Sequence, residues 1–193
     1  MTIFISPPVS FSAIRLRSNM PTIMTHAIIP LAIAAASGRG RISPKLAVAG
    51  AAFAMAPDAD VIGFKVGVEY ADVWGHRGAT HSIAFAALVA GAISAVWQEA
   101  RNITAFVFLT FAMASHGLLD TLTSGGLGTA LWWPFDNTRI FAPETPIRVS
   151  PIGRDFFSMR GVETLVSEAR WIWLPCIMLA LTGWGLRKAV RAR

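Results

Sequence analysis

Four histidines and three aspartates carry most of the chemistry available to this 193-residue chain: His26, His76, His81, His116, Asp58, Asp60 and Asp120. His116 and Asp120 are four residues apart, so on a helix they share one face and offer a cation one imidazole and one carboxylate. Asp58 and Asp60 follow Pro57, and two carboxylates that close repel unless a cation lies between them. Thr25-His26 and Thr80-His81 are the same dipeptide at the start of two apolar segments, each followed by one residue and an isoleucine. The threonine is suited to cap a helix. The histidine then falls in the first turn, where the macrodipole disfavours imidazolium and leaves the neutral ring a metal requires. These residues predict a divalent-metal centre of one or two ions with His26, Asp58, Asp60, His81, His116 and Asp120 as ligands. A nitrogen and oxygen donor set without thiolates suits zinc, with manganese and iron as the alternatives. His76 stands five residues before His81 across Gly78 and is assigned to proton transfer or to support of a ligand. Arg77 is assigned to holding an anionic group such as phosphate. Each element has a plainer reading: His–Asp pairs at this spacing also form simple hydrogen bonds, and Asp-x-Asp after proline is a common solvated turn.

The elements that must position these residues are apolar. Apolar residues make up 54% of the chain and charged ones 15%, against about 25% charged in a typical soluble domain; the mean hydropathy is +0.53. Ser82–Trp97 and Ile103–Leu119 approach the roughly 20 residues a bilayer span needs. Trp171–Leu186 is a third such segment, with Pro175 as an expected kink. Ala27–Ala36 and Leu46–Ala56 are shorter and are joined by a turn containing Gly38, Gly40 and Pro44, so they predict a helical hairpin that either spans or re-enters. A soluble chain of this size has too little polar surface to hide five such helices. The fold class is therefore all-α: a polytopic membrane bundle of four to five helices with a long extracytoplasmic loop between the last two. Trp132, Trp133, Trp171 and Trp173 read as an interfacial belt. Residues 1–23, with Pro7, Pro8 and several serines, read as a leader or over-long gene start, and residues 24–193 as one membrane-embedded domain.

Net charge is +6, which raises nucleic acid as a partner, but the placement of charge points elsewhere. Arg39, Arg41 and Lys45 lie in the first turn, Glu99 and Arg101 in the third connection, and Arg187, Lys188, Arg191 and Arg193 in the tail. An alternating path puts these three regions on one side. The opposite loops are net negative: Asp58–Arg77 holds two cations and four acids, and Asp120–Arg170 five cations and six acids. The positive-inside rule places the first turn and the C-terminus in the cytoplasm, so basicity reports topology and no nucleic acid is expected. The same path carries all four histidines and the three aspartates to the other, extracytoplasmic, end. Ionisable groups near the membrane are costly and functional by default. Cys176 alone forms no internal disulfide and excludes zinc sites built on several thiolates. Neither a G-x-S-x-G elbow nor a P-loop is present.

The runs Met24-Thr25-His26, Pro57-Asp58-Ala59-Asp60, His76-Arg77-Gly78-Ala79-Thr80-His81-Ser82 and His116-Gly117-Leu118-Leu119-Asp120 resemble the YdjM-like family of bacterial and archaeal inner-membrane proteins, described as metal-dependent hydrolases. Trp133-Pro134-Phe135 and Pro146–Ile152 are similar to that family's loop, and the likeness covers roughly Met24–Leu186. It implies metal binding and hydrolase activity. A looser similarity, to helical zinc phosphodiesterases of the phospholipase C and P1 nuclease type, bears on mechanism by analogy. The expected function is a membrane-bound hydrolase in which metal-activated water attacks a phosphoester-type bond of a lipid or lipid-linked substrate. The alternatives are a cation- or proton-handling transporter, and a structural membrane protein stapled by its metal.

Overall fold

The computed structural model describes residues 22–150 and 156–192. The leader assigned to residues 1–23 lies outside it except for its last two residues. Those two belong to the fold: Thr22 precedes α1 (Ile23–Ser37), and its backbone N–H and hydroxyl both donate to Glu168. The remaining helices are α2 (Pro44–Met55), α3 (Ile83–Val96), α4 (Ile103–Thr121), α5 (Met159–Glu168) and α6 (Leu174–Arg191). The π-helical turn Ala169–Trp173 joins α5 and α6 without a break, so five helical rods build an all-helical bundle.

Among the described residues, three rods are long and apolar enough to cross a membrane: Pro44–Val66, Ile103–Thr121 and Met159–Arg191. This differs from the sequence reading at three places. The α-helical part of the second rod stops at Met55, just before Pro57, but the rod does not end there: the chain tightens into a 3-10 helix over Ala56–Val66, past the expected end at Ala56. Proline is tolerated at this start since its missing N–H falls among donors with no intrahelical partner. Asp58 and Asp60 thus sit on a helix, and the rod gains the length that its α-helical part lacks. The segment at Ser82–Trp97 is shorter than expected: α3 has 14 residues, about 21 Å at 1.5 Å per residue. The last helix begins at Met159, well inside the expected long loop, and its irregularity is the π turn just before Pro175.

Alanine and glycine let the rods approach closely, as helices packed in lipid require. Ala86 and Ala90 of α3 and Ala105, Leu109 and Ala112 of α4 are buried. Gly50 of α2 lies so close to the Phe108 ring that an added Cβ would meet it at 2.6 Å. By contrast α6 buries nothing and exposes Ile177, Leu181, Trp184 and Leu186, the pattern of a lipid-facing rod.

The turns on one end meet. Lys45 pairs with Glu99 at 2.8 Å, and Arg187 near the C-terminus donates to the Ala35 carbonyl at 2.8 Å. The first turn, the third connection and the tail therefore share one end of the bundle. The start of α1, the end of the second rod, the start of α3 and the end of α4 share the other.

Candidate metal centre

Helix ends bring the polar residues together, and local devices fix each one. Ser82 caps α3, accepting from the Phe85 N–H at 3.0 Å, and the 3-10 turn Ala79–His81 presents His81 inward. Gly117 lets that turn lie against α4, because a Cβ there would collide with the His81 carbonyl. His116, one turn before Asp120, faces the same point. Asp58 arrives from the 3-10 helix.

Four donor atoms converge. His116 Nε2 lies 3.2 Å from Asp58 Oδ1 and 3.6 Å from Asp120 Oδ2. His81 Nε2 lies 3.4 Å from Asp120 Oδ2 and 3.7 Å from Asp58 Oδ1. A tetrahedral ion with bonds of about 2.0–2.1 Å separates neighbouring donors by about 3.3 Å, so this spacing fits one ion. All four residues are at most 3% exposed. The tautomers agree with that fit. His116 Nδ1 is 2.6 Å from the Ala54 carbonyl, which only accepts, so Nδ1 carries a hydrogen and Nε2 is the nitrogen turned toward the carboxylates. His81 Nδ1 contacts the Thr80 hydroxyl at 3.0 Å and Asp60 at 3.3 Å, which orients its Nε2 likewise. Imidazole nitrogens and carboxylates facing one another in a buried space call for positive charge between them, supplied by a metal ion or by protons on the rings. Asp58 Oδ2 and His81 Nε2 have no hydrogen-bond partner. Burial lowers the basicity of His81, yet the carboxylates of Asp58 and Asp60 outweigh it and hold its pKa up at about 9, so without a cation between them the ring carries a second proton, which a bound ion would displace.

Asp60 lies outside this quartet. It accepts from His76 Nδ1 at 2.7 Å, from the Thr80 hydroxyl at 2.9 Å and from the Arg77 N–H at 3.3 Å, and so braces two histidines. Carboxylates behind metal-bound histidines commonly act this way. Asp60, His76 and His81 form a second cluster with metal-ligand spacing that shares His81 with the first. His26 also stands beside the quartet. Its ring stacks on His116 with centroids 3.7 Å apart, and neither nitrogen has a hydrogen-bond partner.

Arg77 is placed differently from the phosphate-holding role. Its guanidinium is fully buried and grips Asp120 through Nε at 3.1 Å and Nη2 at 3.2 Å, with Thr123 Oγ1 at 3.0 Å and the Gly125 carbonyl at 2.6 Å completing the set. A backbone φ of 63° lets its N–H turn to Asp60 while its side chain turns to Asp120. A non-glycine residue held there costs roughly 1–3 kcal/mol, which the surrounding bonds must offset.

The threonines of the two Thr-His pairs do not cap helices. Thr25 lies inside α1 and donates to Glu168 at 2.7 Å; Thr80 donates to Asp60. His81 is thus linked to Asp60 through Thr80, whereas His26 only neighbours the threonine that binds Glu168. Glu168, fully buried on the last rod, was not among the residues singled out from sequence, nor was Arg139. Arg139 donates to the carbonyls of His76, Tyr70 and Asp72. Together with the pairing of Ala130 N–H to the Arg77 carbonyl at 3.0 Å, it closes the loop after α4 over the site. Trp173, assigned to a membrane belt, also turns inward, its indole donating to Thr25 at 3.1 Å.

Known proteins place the chain clearly. Residues 20–192 match the model of the YdjM inner membrane protein family. The chain is 42% identical over 173 residues to the inner membrane protein YbcI of Escherichia coli K12, covering 88% of this chain and all of that protein. No solved structure matches. The chain belongs to the YdjM family of inner membrane proteins.

Proposed function

We propose that this member of a membrane-protein family is a metal-dependent hydrolase, with one zinc ion held by Asp58, His81, His116 and Asp120. The observation that carries the reading is the convergence of two imidazole nitrogens and two carboxylate oxygens at 3.2–3.7 Å. A divalent ion bound there supplies Lewis acidity and an activated water. The protein's own part is arrangement. Asp60 holds His81 and His76, Arg77 holds Asp120, and the Ala54 carbonyl holds His116. His76 is oriented through Nδ1 and keeps a buried Nε2 without a hydrogen-bond partner, 5.4 Å from the His81 ring centre to centre. It is the residue suited to carry a proton to or from the reacting group.

The positive-inside rule puts the centre on the extracytoplasmic side and the C-terminus in the cytoplasm. A site between the ends of membrane helices favours a lipid or lipid-linked substrate, and phosphoester cleavage is the reaction assigned. A transporter needs polar groups along the whole path, whereas the stretches of α3 and α4 leading away from the site offer Ser94, Thr104, Thr110 and Ser115. One observation favours a second reading. Four protein donors already complete a tetrahedron and are at most 3% exposed, as in structural metal sites, where a catalytic one keeps a position open. The test is hydrolysis of a water-soluble phosphodiester and of phospholipid by zinc-loaded protein, wild type beside Asp58→Asn and His76→Ala. The hydrolase reading expects activity in wild type alone, with metal retained in His76→Ala. No turnover in any protein, with chelation lowering only thermal stability, would establish the metal staple.

A further inference from the structure

The end of the bundle opposite the histidines holds a second feature. Between the C-terminus of α1, the turn after it and the last turns of α6 lies a cavity of about 660 Å³. Arg39, Arg187, Lys188 and Arg191 line it together with Leu31 and Trp184, and no carboxylate is among the lining residues. The nearest acid on this end, Glu99, is engaged by Lys45. Four cations drawn together repel one another, and an anion seated among them relieves that repulsion. Arg187 donates Nη2 to the Ala35 carbonyl, while its Nη1 is buried and has no hydrogen-bond partner. Lys188 lies 4.3 Å from the Trp184 ring centre, which sets its ammonium at the cavity rim. The apolar part of the wall continues into the exposed Leu31, Leu181 and Leu186, surface that faces acyl chains in a spanning bundle.

We propose that this cavity binds the phosphate head group of an anionic phospholipid, with its acyl chains against α1 and α6. Charge complementarity selects the head group: basic pockets between helix ends attract phosphate-bearing lipids, and two phosphates engage four cations better than one. A diphosphatidyl lipid such as cardiolipin is therefore the preferred occupant. Arg187 supplies the buried donor; Arg39, Lys188 and Arg191 supply mobile charge. The site is independent of the metal centre, since no residue is shared between them.

The experiment uses the full chain in zwitterionic detergent and counts bound lipid by native mass spectrometry after adding cardiolipin, phosphatidylglycerol or phosphatidylcholine. Cardiolipin is expected to bind at least about tenfold more tightly than phosphatidylcholine, and the Arg39→Gln/Lys188→Gln pair, both exposed at the rim, to weaken it about tenfold. Arg101→Gln removes a cation from the same end outside the cavity and should change binding less than twofold. Equal retention of phosphatidylcholine, or an equal loss in Arg101→Gln, overturns the site. So does competition by millimolar inorganic phosphate that abolishes lipid binding, which would mark a free-phosphate site. Arg187→Gln is the sharper variant. Metal content unchanged from wild type shows that it folds, and lipid binding unchanged in that folded protein would also overturn the proposal.

Discussion

At the residue scale, the centre depends on charges that only make sense together. Arg77 and Asp120 are both fully buried and joined through two guanidinium nitrogens. Removing one partner of a buried pair leaves the other uncompensated, at a cost of about 3–5 kcal/mol. Arg77→Met is therefore expected to lower the thermal midpoint sharply in detergent. An unchanged midpoint would mean that Asp120 draws its compensation from elsewhere. Asp60→Asn acts differently: the four converging donors remain, but the brace behind His81 and His76 weakens. Zinc affinity should fall about 10–100-fold, measured by competition with a chromogenic chelator, while loss no greater than twofold would remove Asp60 from the support of the site. The sequence made these residues visible because histidine and aspartate are rare in apolar chains. It did not separate ligand from brace. Asp58 and Asp60 are two apart and chemically identical, and only the path of the 3-10 helix decides which one joins the four converging donors. Arg77 shows the same limit: a lone arginine in a histidine-rich run suits phosphate as well as an inward salt bridge, and the left-handed backbone that turns it to Asp120 has no signature beyond the neighbouring Gly78.

At the element scale, the last rod reaches back to fix the first. Glu168 accepts from Thr22 and Thr25 at the start of α1, where a carboxylate also meets the positive end of the helix dipole. His26 rides one residue beyond Thr25. Glu168→Gln keeps the shape but weakens three hydrogen bonds to a charged acceptor, so a loss of about 1–3 kcal/mol in stability is expected, read by thermal unfolding. Gly117→Ala should be worse for the metal than for the helix, because its Cβ would push against the His81 carbonyl. The expected result is retained helicity by circular dichroism with reduced metal content; retained metal would show that the 3-10 turn carrying His81 can shift without cost. Hydropathy located the rods but misjudged their ends. The α-helix does stop before Pro57, but a φ fixed near −65° also fits a 3-10 helix, so the rod continues past the expected end at Ala56. The start of the last rod at Met159 was hidden because its first ten residues are amphipathic and carry charge, while Glu168 pairs with residues nearly 150 positions away, beyond any local pattern.

At the scale of the whole molecule, the alternating path sorts the chemistry. Net positive charge gathers at one end, histidines and aspartates at the other, and the contacts of Lys45 with Glu99 and of Arg187 with Ala35 hold the basic end together. This division was legible from charge counts alone, because an antiparallel bundle leaves little freedom in which turns meet. Reporter fusions after Arg193 and near Ser158 test the orientation assigned to it: a cytoplasmic signal from the first and an external signal from the second are expected, and the reverse would move the centre to the cytoplasmic face. The central claim, that three rods pool their end residues on one ion, rests most directly on metal analysis of the detergent-purified protein. One zinc per chain is expected for wild type, close to none for His116→Ala and Asp120→Asn, and wild-type content for His76→Ala. Metal content unchanged by His116→Ala and Asp120→Asn would contradict the shared centre and leave the histidines as polar helix ends at a membrane surface.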